Sequence, residues 1–295
     1  MFFFYFLIFF FGAAAGSFLN VLSLRYNPDK NLFYNAGGRS RCLGCGEKLC
    51  WYELIPLFSF FIQKGRCRHC RQRLLWQYPL IEALCGLLCV FITFKILETS
   101  LIYFLPLSTQ VFLIILWFLI FLSLVLMSLI DFKLQIIPDE INIFLIVLGF
   151  LNLLVYYYLF PFSDIIDLNL KTSFLGSYAL LFRFSDILWF NFLLGAVFGG
   201  LFFGFLYFIT KGQGMGFGDV KLAFSLGLVF GWPDILIISL LAFIIGSFVG
   251  LFLMIRQKKK MKDLLPFGPF IALSSFLVFL FGAQILGFYF KLFLV

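Results

Sequence analysis

Charged residues are scarce in this chain. Asp, Glu, Lys and Arg make up only 12% of its 295 residues, whereas 63% of the residues are hydrophobic. In a soluble domain about a quarter of the residues are charged and about one half are apolar. The composition therefore excludes an ordinary soluble globular protein, and it indicates a chain that lies largely in lipid.

Histidine is almost absent, since His69 is the only one. It lies inside a four-cysteine pattern that predicts a metal site, as described below. Hydrolases that activate a serine or a cysteine usually place a histidine beside the nucleophile. The sequence therefore excludes Ser-His and Cys-His catalysis, so any hydrolytic function has to use other groups.

The sequence contains long apolar runs. A helix needs about 20 apolar residues to cross a bilayer; seven runs reach that length and an eighth is shorter. We expect an all-α polytopic membrane protein with about eight transmembrane helices. The first run lacks the features of a cleaved signal peptide, so we expect it to remain as a helix. The runs are 3–24, 78–97, 110–130, 140–160, 187–209, 220–231 (the short one), 235–255 and 268–292.

Positive charge marks one side of the membrane. Of the 22 Lys and Arg residues, 18 lie at 25–77, 131–139, 211–221 and 256–265, which are alternate connections between the runs. Lys and Arg concentrate in cytoplasmic loops, which places these segments inside and both chain termini outside. The net charge of +8 is therefore a topology signal. It predicts contact with membrane lipid and no nucleic-acid partner.

Two C-x2-C pairs lie in the largest polar segment, 25–77. Each pair can form a tight turn, and four thiolates complete a closed tetrahedral zinc site. Disulfides are disfavoured in the cytoplasm, which argues against pairing of these thiols. The alternatives are four unrelated thiols or a ligand role for Cys50; we expect His69 to be a bystander. The predicted zinc ligands are Cys42, Cys45, Cys67 and Cys70.

Two aspartates stand at the cytoplasmic ends of apolar runs. Asp131 follows the third run, and Asp219 precedes the short one. A carboxylate near the bilayer core costs several kcal/mol unless it faces water or has a function. Two carboxylates in one restricted site share a proton, which suits the hydrolysis of a peptide bond by water. The alternative is that both aspartates stabilise helix ends, and Asp139 is a rival of Asp131.

Glycines alternate before the second aspartate, at Gly212, Gly214, Gly216 and Gly218. They predict unwound backbone that an extended peptide substrate can approach and pair with. The spacing also resembles a nucleotide-binding loop. No strand precedes it and no Walker-type Lys-Ser or Lys-Thr pair follows, so we reject that interpretation.

Five motifs together resemble the bacterial type IV prepilin peptidase family, whose members are also called leader peptidase and N-methyltransferase. The motifs occur in the family's order and span nearly the whole chain. They are Gly16-Ser-Phe-Leu-Asn20; the two cysteine pairs with Ser40, Pro56 and Tyr78-Pro79-Leu-Ile-Glu82; Asp131 with Pro138-Asp139; Gly216-Phe-Gly218-Asp219; and Pro266-Phe-Gly268-Pro269.

The resemblance implies an intramembrane aspartyl protease of the bacterial inner membrane with Asp131 and Asp219 as catalytic residues. The substrate would be a type IV prepilin or pseudopilin precursor, cleaved on the cytoplasmic side of the membrane. Many members then methylate the new N-terminus with S-adenosylmethionine. Glu82 is either a helix-start carboxylate or a contact for the substrate or the methyl donor. The expected organisation is a first helix at 1–24, a zinc loop at 25–77 and a peptidase core at 78–295.

Two other classes of function stay open from the residues alone. A proton-coupled transporter can use two membrane aspartates and a helix that is broken by glycines. A zinc-ribbon membrane scaffold needs neither aspartate. Both alternatives predict that Asp219→Asn leaves the processing of any pilin intact.

Overall fold

The computed structural model of the chain describes residues 2–30, 32, 37–42, 44–98, 106–159, 173–182, 187–256 and 265–293. Over these residues the protein is helical, without a strand, and two isolated antiparallel bridges join Arg41 to Lys48 and Arg66 to Arg73. The helices are α1 (Phe2–Arg25), α2 (Phe58–Ile62), α3 (Gln77–Glu98), α4 (Leu107–Leu134), α5 (Asp139–Leu159), α6 (Leu188–Thr210), α7 (Phe217–Phe230), α8 (Asp234–Ile255) and α9 (Gly268–Phe293), with short 3-10 helices at Trp51–Leu54 and Gly176–Phe182.

Seven helices of the described part of the chain are long and apolar enough to cross a membrane. They are α1, α3, α4, α5, α6, α8 and α9, and each coincides within a few residues with one of the seven long apolar runs. The short run forms α7, whose 14 residues extend about 21 Å and fall short of a bilayer core. The expectation of an all-α polytopic membrane protein is confirmed, with seven helices of spanning length among the described residues. The placement of both termini outside counted the short run as a crossing, and it stays a prediction.

The chain divides into two compact units, Met1–Leu122 and Ser123–Val295. This division falls within α4 and reflects packing. The three-part organisation expected from the sequence follows loops and spans instead, and it stays a prediction.

Small residues bring α1 and α3 together in the first unit. A Cβ atom on Gly12 would lie 2.6 Å from the carbonyl oxygen of Cys85, and a Cβ on Gly86 would lie 2.7 Å from the Phe9 ring. Such contacts leave room for glycine only, as is common between membrane helices. Cys85 and Cys89 are buried in this interface as small packing residues.

In the second unit α7 packs against α5, α6 and α8. A Cβ on Gly195 of α6 would lie 2.6 Å from the carbonyl oxygen of Gly227, so α6 and α7 touch through their backbones. Asn152 of α5 donates a hydrogen bond of 3.1 Å to the carbonyl oxygen of Val229. These neighbours fix the position of α7, and with it the carboxylate in its first turn.

Candidate active site and metal centre

Asp131 lies in the last turn of α4, where only 4% of its surface is exposed. Its Oδ2 accepts a hydrogen bond of 3.0 Å from the backbone N–H of Gly268. Gly268 is the first residue of α9, so the Asp131 carboxylate faces the positive end of that helix dipole. The Pro266–Pro269 motif therefore holds Asp131 through the N–H of Gly268.

Asp219 lies in the first turn of α7 and is 7% exposed. Its Oδ2 accepts a hydrogen bond of 3.1 Å from the backbone N–H of Gly216, which immediately precedes the helix. The side chain thus reaches back over its own helix start and satisfies an N–H group that the helix leaves without a partner. This bond fixes the carboxylate at the end of the glycine segment.

The two aspartates belong to one compact unit and act on each other electrostatically. Burial, and then the charge of Asp131, raise the pKa of Asp219 to about 7, against the opposing effect of the Gly216 N–H. Two carboxylates that repel each other in a buried site bind a proton between them. The two aspartates that the sequence singles out are therefore both buried in one unit, within electrostatic range of each other.

The segment before α7 is not helical between Thr210 and Phe217, in agreement with the unwinding that its glycines predict. Lys211 and Gly212 have positive φ angles of 50° and 73°, which turn the chain sharply after α6. A Cβ on Gly218 would lie 3.0 Å from the Cβ of Ile137. Gly218 therefore lets the start of α7 lie against the connection between α4 and α5.

Asp139 has a different environment from Asp131. It begins α5, its side chain is 63% exposed, and its Oδ1 and Oδ2 lie 2.8 Å and 2.9 Å from Nζ of Lys221. Asp139 thus links the start of α5 to α7, while Asp131 is the buried carboxylate near Asp219.

The four cysteines of the two C-x2-C pairs converge in the first unit. Their sulfur atoms all lie within 4.8 Å of one another, and the sulfurs of Cys42 and Cys70 are 3.7 Å apart. A tetrahedral zinc ion with Zn–S bonds of about 2.3 Å requires sulfurs about 3.8 Å apart. The sulfur positions therefore fit a closed four-thiolate metal site.

The two cysteine turns share one backbone pattern. The N–H of Cys42 bonds to the carbonyl oxygen of Glu47, and the N–H of Cys67 bonds to that of Gln72, each at 2.9 Å. The fifth residue of each turn, Gly46 or Arg71, has a positive φ angle, 72° and 57°. Backbone N–H groups of Cys45 and Gly44 lower the pKa of the Cys42 thiol to about 6, which favours the thiolate that a metal needs. Cys50 and His69 are not part of the cluster.

Glu82 belongs to the first unit, whereas Gly216 and Gly218 belong to the second. Glu82 is 6% exposed, and its Oε2 accepts a hydrogen bond of 2.8 Å from the N–H of Leu57, just before α2. In this position it joins the polar segment to α3. Its predicted contact with a substrate or a methyl donor stays a prediction.

Two features of these sites escaped the sequence interpretation. The Pro266–Pro269 motif was recognisable, but the contact of Gly268 with Asp131 joins residues 137 positions apart. The burial of Glu53 is the second feature: its side chain is only 6% exposed, and its Oε1 has no hydrogen-bond partner among the described residues. An acidic residue within an aromatic and apolar stretch was the one available signal.

Known families match both halves of the chain. The bacterial peptidase A24 N-terminal domain matches residues 10–96, which include the cysteine cluster and Glu82. The type IV leader peptidase family matches residues 162–251, which include Asp219. A relative named prepilin leader peptidase/N-methyltransferase, from Dichelobacter nodosus, is 30% identical over 83% of this chain and 72% of its own length. The chain belongs to the type IV prepilin peptidase family.

Other members of the prepilin peptidase family match over more of the chain. The protein of the same name from Stutzerimonas stutzeri is 28% identical over 94% of this chain and 91% of its own length. The one from Aeromonas hydrophila is 29% identical over 95% and 91%. No solved structure shows a significant match. The family recognised from five motifs is confirmed, and the relatives give no support to a transporter or a scaffold.

Proposed function

We propose that this chain is a membrane-embedded aspartyl endopeptidase that removes the short basic leader from type IV prepilins or pseudopilins at the cytoplasmic face. The observation that carries the proposal is the buried pair Asp131 and Asp219, each held by a backbone N–H group of a glycine. The names of the relatives support the substrate class. The distribution of Lys and Arg supports the cytoplasmic orientation.

The pair works as one acid and one base. Burial and the charge of Asp131 raise the pKa of Asp219 to about 7, so the pair holds a proton near neutral pH. We assign that proton to Asp219, which donates a hydrogen bond to the scissile carbonyl oxygen. Ionised Asp131 takes a proton from a water molecule, whose oxygen then attacks the carbonyl carbon. Asp131 then gives this proton to the leaving amine, and the C–N bond breaks. Both aspartates return to their starting protonation states. No covalent enzyme intermediate is needed.

The glycine segment supplies the place for the substrate chain. Backbone that is not helical and lies beside the aspartates can pair with an extended peptide. A Cβ on Gly216 would lie 3.6 Å from Oδ2 of Asp219, and Gly218 immediately precedes Asp219 in the first turn of α7. We therefore assign substrate binding to the backbone at these two glycines.

The metal centre belongs to the first unit. Zinc suits four thiolates at these distances, and Cys42, Cys45, Cys67 and Cys70 would hold it as a structural ion. The names of the relatives also support N-methylation of the new N-terminus. S-adenosylmethionine supplies the methyl group of that reaction when it is bound.

Leader cleavage in membranes tests the proposal. Wild type, Asp131→Asn, Asp219→Asn and Asp139→Asn are each co-expressed with a model prepilin, and loss of the leader is followed by the shift of the pilin band. We expect wild type to cleave, the Asp131 and Asp219 variants to lose at least about a thousandfold in rate, and Asp139→Asn to retain most of it. Equal cleavage by all four well-expressed proteins would refute the aspartate pair.

A further inference from the structure

An open cavity of about 480 Å³ lies in the first unit, between α2 and the residues just before α3. One side of it is aromatic, with the buried ring of Phe60 and the exposed rings of Phe61 and Trp76. The rings of Phe60 and Trp76 pack against each other, with their centroids 5.1 Å apart. Every residue that lines this cavity belongs to Met1–Leu122, so the cavity is separate from the aspartate pair.

The other side of the cavity carries three exposed cations and no carboxylate. The cations are Lys64, Arg66 and Arg73. None of the three forms an ion pair within the part of the chain that the structure describes. A concave surface that collects charge of one sign attracts ligands of the opposite sign. The charge of this side therefore predicts an anionic ligand.

Two of these cations lie directly opposite each other. Arg66 and Arg73 form an antiparallel bridge, and a backbone hydrogen bond flanks it on each side. The flanking bonds run from the N–H of Leu74 to the oxygen of Gly65, at 2.8 Å, and from the N–H of Cys67 to that of Gln72, at 2.9 Å. In a pair of this kind the two side chains lie on one face and at the shorter of the two pair distances. Like charges in that position repel each other, and an anion that accepts hydrogen bonds from both guanidinium groups removes the repulsion.

The aromatic side of the cavity lies at the level of the membrane surface. Trp76 immediately precedes α3, which is long and apolar enough to cross a membrane, and Trp is enriched where a span meets water. Phe58 of α2 stacks on Phe10 of α1, with ring centroids 5.6 Å apart, so α2 lies beside a second spanning helix. Lipid therefore covers the exposed ring of Phe61 better than water does.

We propose that this cavity binds the phosphate group of an anionic membrane phospholipid. Lys64, Arg66 and Arg73 receive the phosphate, and the acyl chains pass Phe61 and Trp76 into the bilayer. Guanidinium groups bind phosphate through paired hydrogen bonds, and the cytoplasmic leaflet, to which the Lys and Arg pattern assigns this segment, carries the anionic lipids. The bound lipid ties the segment with the cysteine turns to the membrane surface. This function is independent of peptide cleavage.

Native mass spectrometry of the full chain, purified in detergent with its metal, measures the lipid site without any turnover. Phosphatidylglycerol is titrated, and zwitterionic phosphatidylcholine is the comparison. We expect Arg66→Gln/Arg73→Gln to weaken one binding event of phosphatidylglycerol by about fivefold for each guanidinium removed. Arg41→Gln/Lys48→Gln is the matched control, because these two cations form the equivalent bridge of the first cysteine turn and do not line the cavity. We expect this control to bind phosphatidylglycerol as the wild type does.

A photo-crosslink identifies what covers the aromatic side. Phe61→benzoylphenylalanine is introduced into the full chain in bacterial membranes, and after irradiation the mass of the adduct is measured. We expect the mass of a phospholipid. Glu47→benzoylphenylalanine is the control, since Glu47 is an exposed residue of the first cysteine turn that does not line the cavity, and we expect no lipid adduct there.

Metal content shows which variants are folded, and Lys64→Gln, which is not next to a cysteine, replaces the arginine variants if they lose metal. Unchanged affinity for phosphatidylglycerol in variants that keep their metal overturns the proposal. Displacement of the lipid by an equal concentration of inorganic phosphate also overturns it, because the site would then serve a free anion. An adduct of the Phe61 variant with a protein overturns it as well, because the aromatic side would then be a docking surface for a protein partner.

Discussion

Gly268 shows how the absence of a side chain positions a carboxylate. Its N–H points at Oδ2 of Asp131, and a Cβ at residue 268 would lie 2.8 Å from that oxygen and 2.6 Å from Sδ of Met127. Backbone can come this close to a buried carboxylate only where no Cβ intervenes. The glycine is thus a positioning residue, and any larger residue has to displace the aspartate.

Gly268→Ala is therefore expected to lower leader cleavage by about tenfold to a hundredfold, because the Asp131 carboxylate has to move and its hydrogen bond lengthens. Initial rates in membranes, normalised to the amount of protein, measure the effect. Gly204→Ala in α6 is the matched control, since its Cβ would meet nothing closer than Cγ1 of Val220 at 3.8 Å. Equal rates for the two variants would show that the contact at Gly268 has no role in cleavage.

The residue scale also shows which local features a sequence can predict. The cysteine spacing predicts a tight turn at Gly46, and the φ angle of 72° there lies in the region that favours glycine. Arg71 holds the equivalent position of the second cysteine turn with a φ angle of 57°. Arginine does not favour a positive φ angle, so the residue type gives no sign of this conformation. The cysteine spacing predicts the turn, whereas the cost of its conformation depends on contacts that only the fold provides.

Among the elements, α7 is the one that membrane hydropathy describes least well. It is apolar but short, and it is buried by α5, α6 and α8 through glycines. The apolar runs predicted all seven long helices because each has to match the thickness of the bilayer. The partners of α7 depend on close contacts such as Gly195 with Gly227, which have no periodic signature. For the same reason the approach of Asp219 to Asp131 was expected from chemistry and family likeness, not from a pattern.

The ion pair between Asp139 and Lys221 ties α5 to the first turn of α7. Both side chains are well exposed, at 63% and 39%, so the pair contributes at most about 1 kcal/mol. We expect Asp139→Asn and Lys221→Met each to lower the cleavage rate by less than about fivefold. The double variant should cost no more than the larger single effect, because both changes break the same contact.

A double-mutant cycle on cleavage rates measures this coupling, with wild type, both single variants and the double variant in one membrane preparation. Effects that simply multiply in the double variant would mean that the two residues act separately. A loss of more than about a hundredfold in Asp139→Asn alone would make Asp139, and not Asp131, the partner of Asp219.

At the scale of the whole molecule, two kinds of site occupy two compact units. The cysteine cluster and a cavity beside it, lined in part by Cys42, Cys67 and Glu53, belong to Met1–Leu122, and both catalytic candidates belong to Ser123–Val295. The sequence indicated this separation through its polar loop and its membrane aspartates. It did not indicate the cavity, because its wall combines residues from α1, the cysteine turns and α3 that lie far apart in the chain. A small polar segment cannot form a large core, so metal binding is expected to stabilise it.

Loss of the metal should therefore act on the two units unequally. We expect Cys67→Ser, which changes a ligand that is 3% exposed, to remove bound zinc and to make residues 44–76 sensitive to protease. The cavity beside the cluster shares Cys42 and Cys67 with it, so its walls should be disturbed as well. Leader cleavage should persist in part, because the aspartate pair is held by contacts within the second unit.

Cys50→Ser is the matched control for this prediction, since Cys50 is exposed, lies in the same loop and is outside the cluster. Metal content by mass spectrometry, limited proteolysis and cleavage rate are compared in the same preparations. Zinc retained by Cys67→Ser but lost from Cys50→Ser would reassign the ligands. If Cys67→Ser lost zinc and cleavage together while remaining in the membrane at normal levels, the metal centre would have to support the aspartate site, and the two units would act as one.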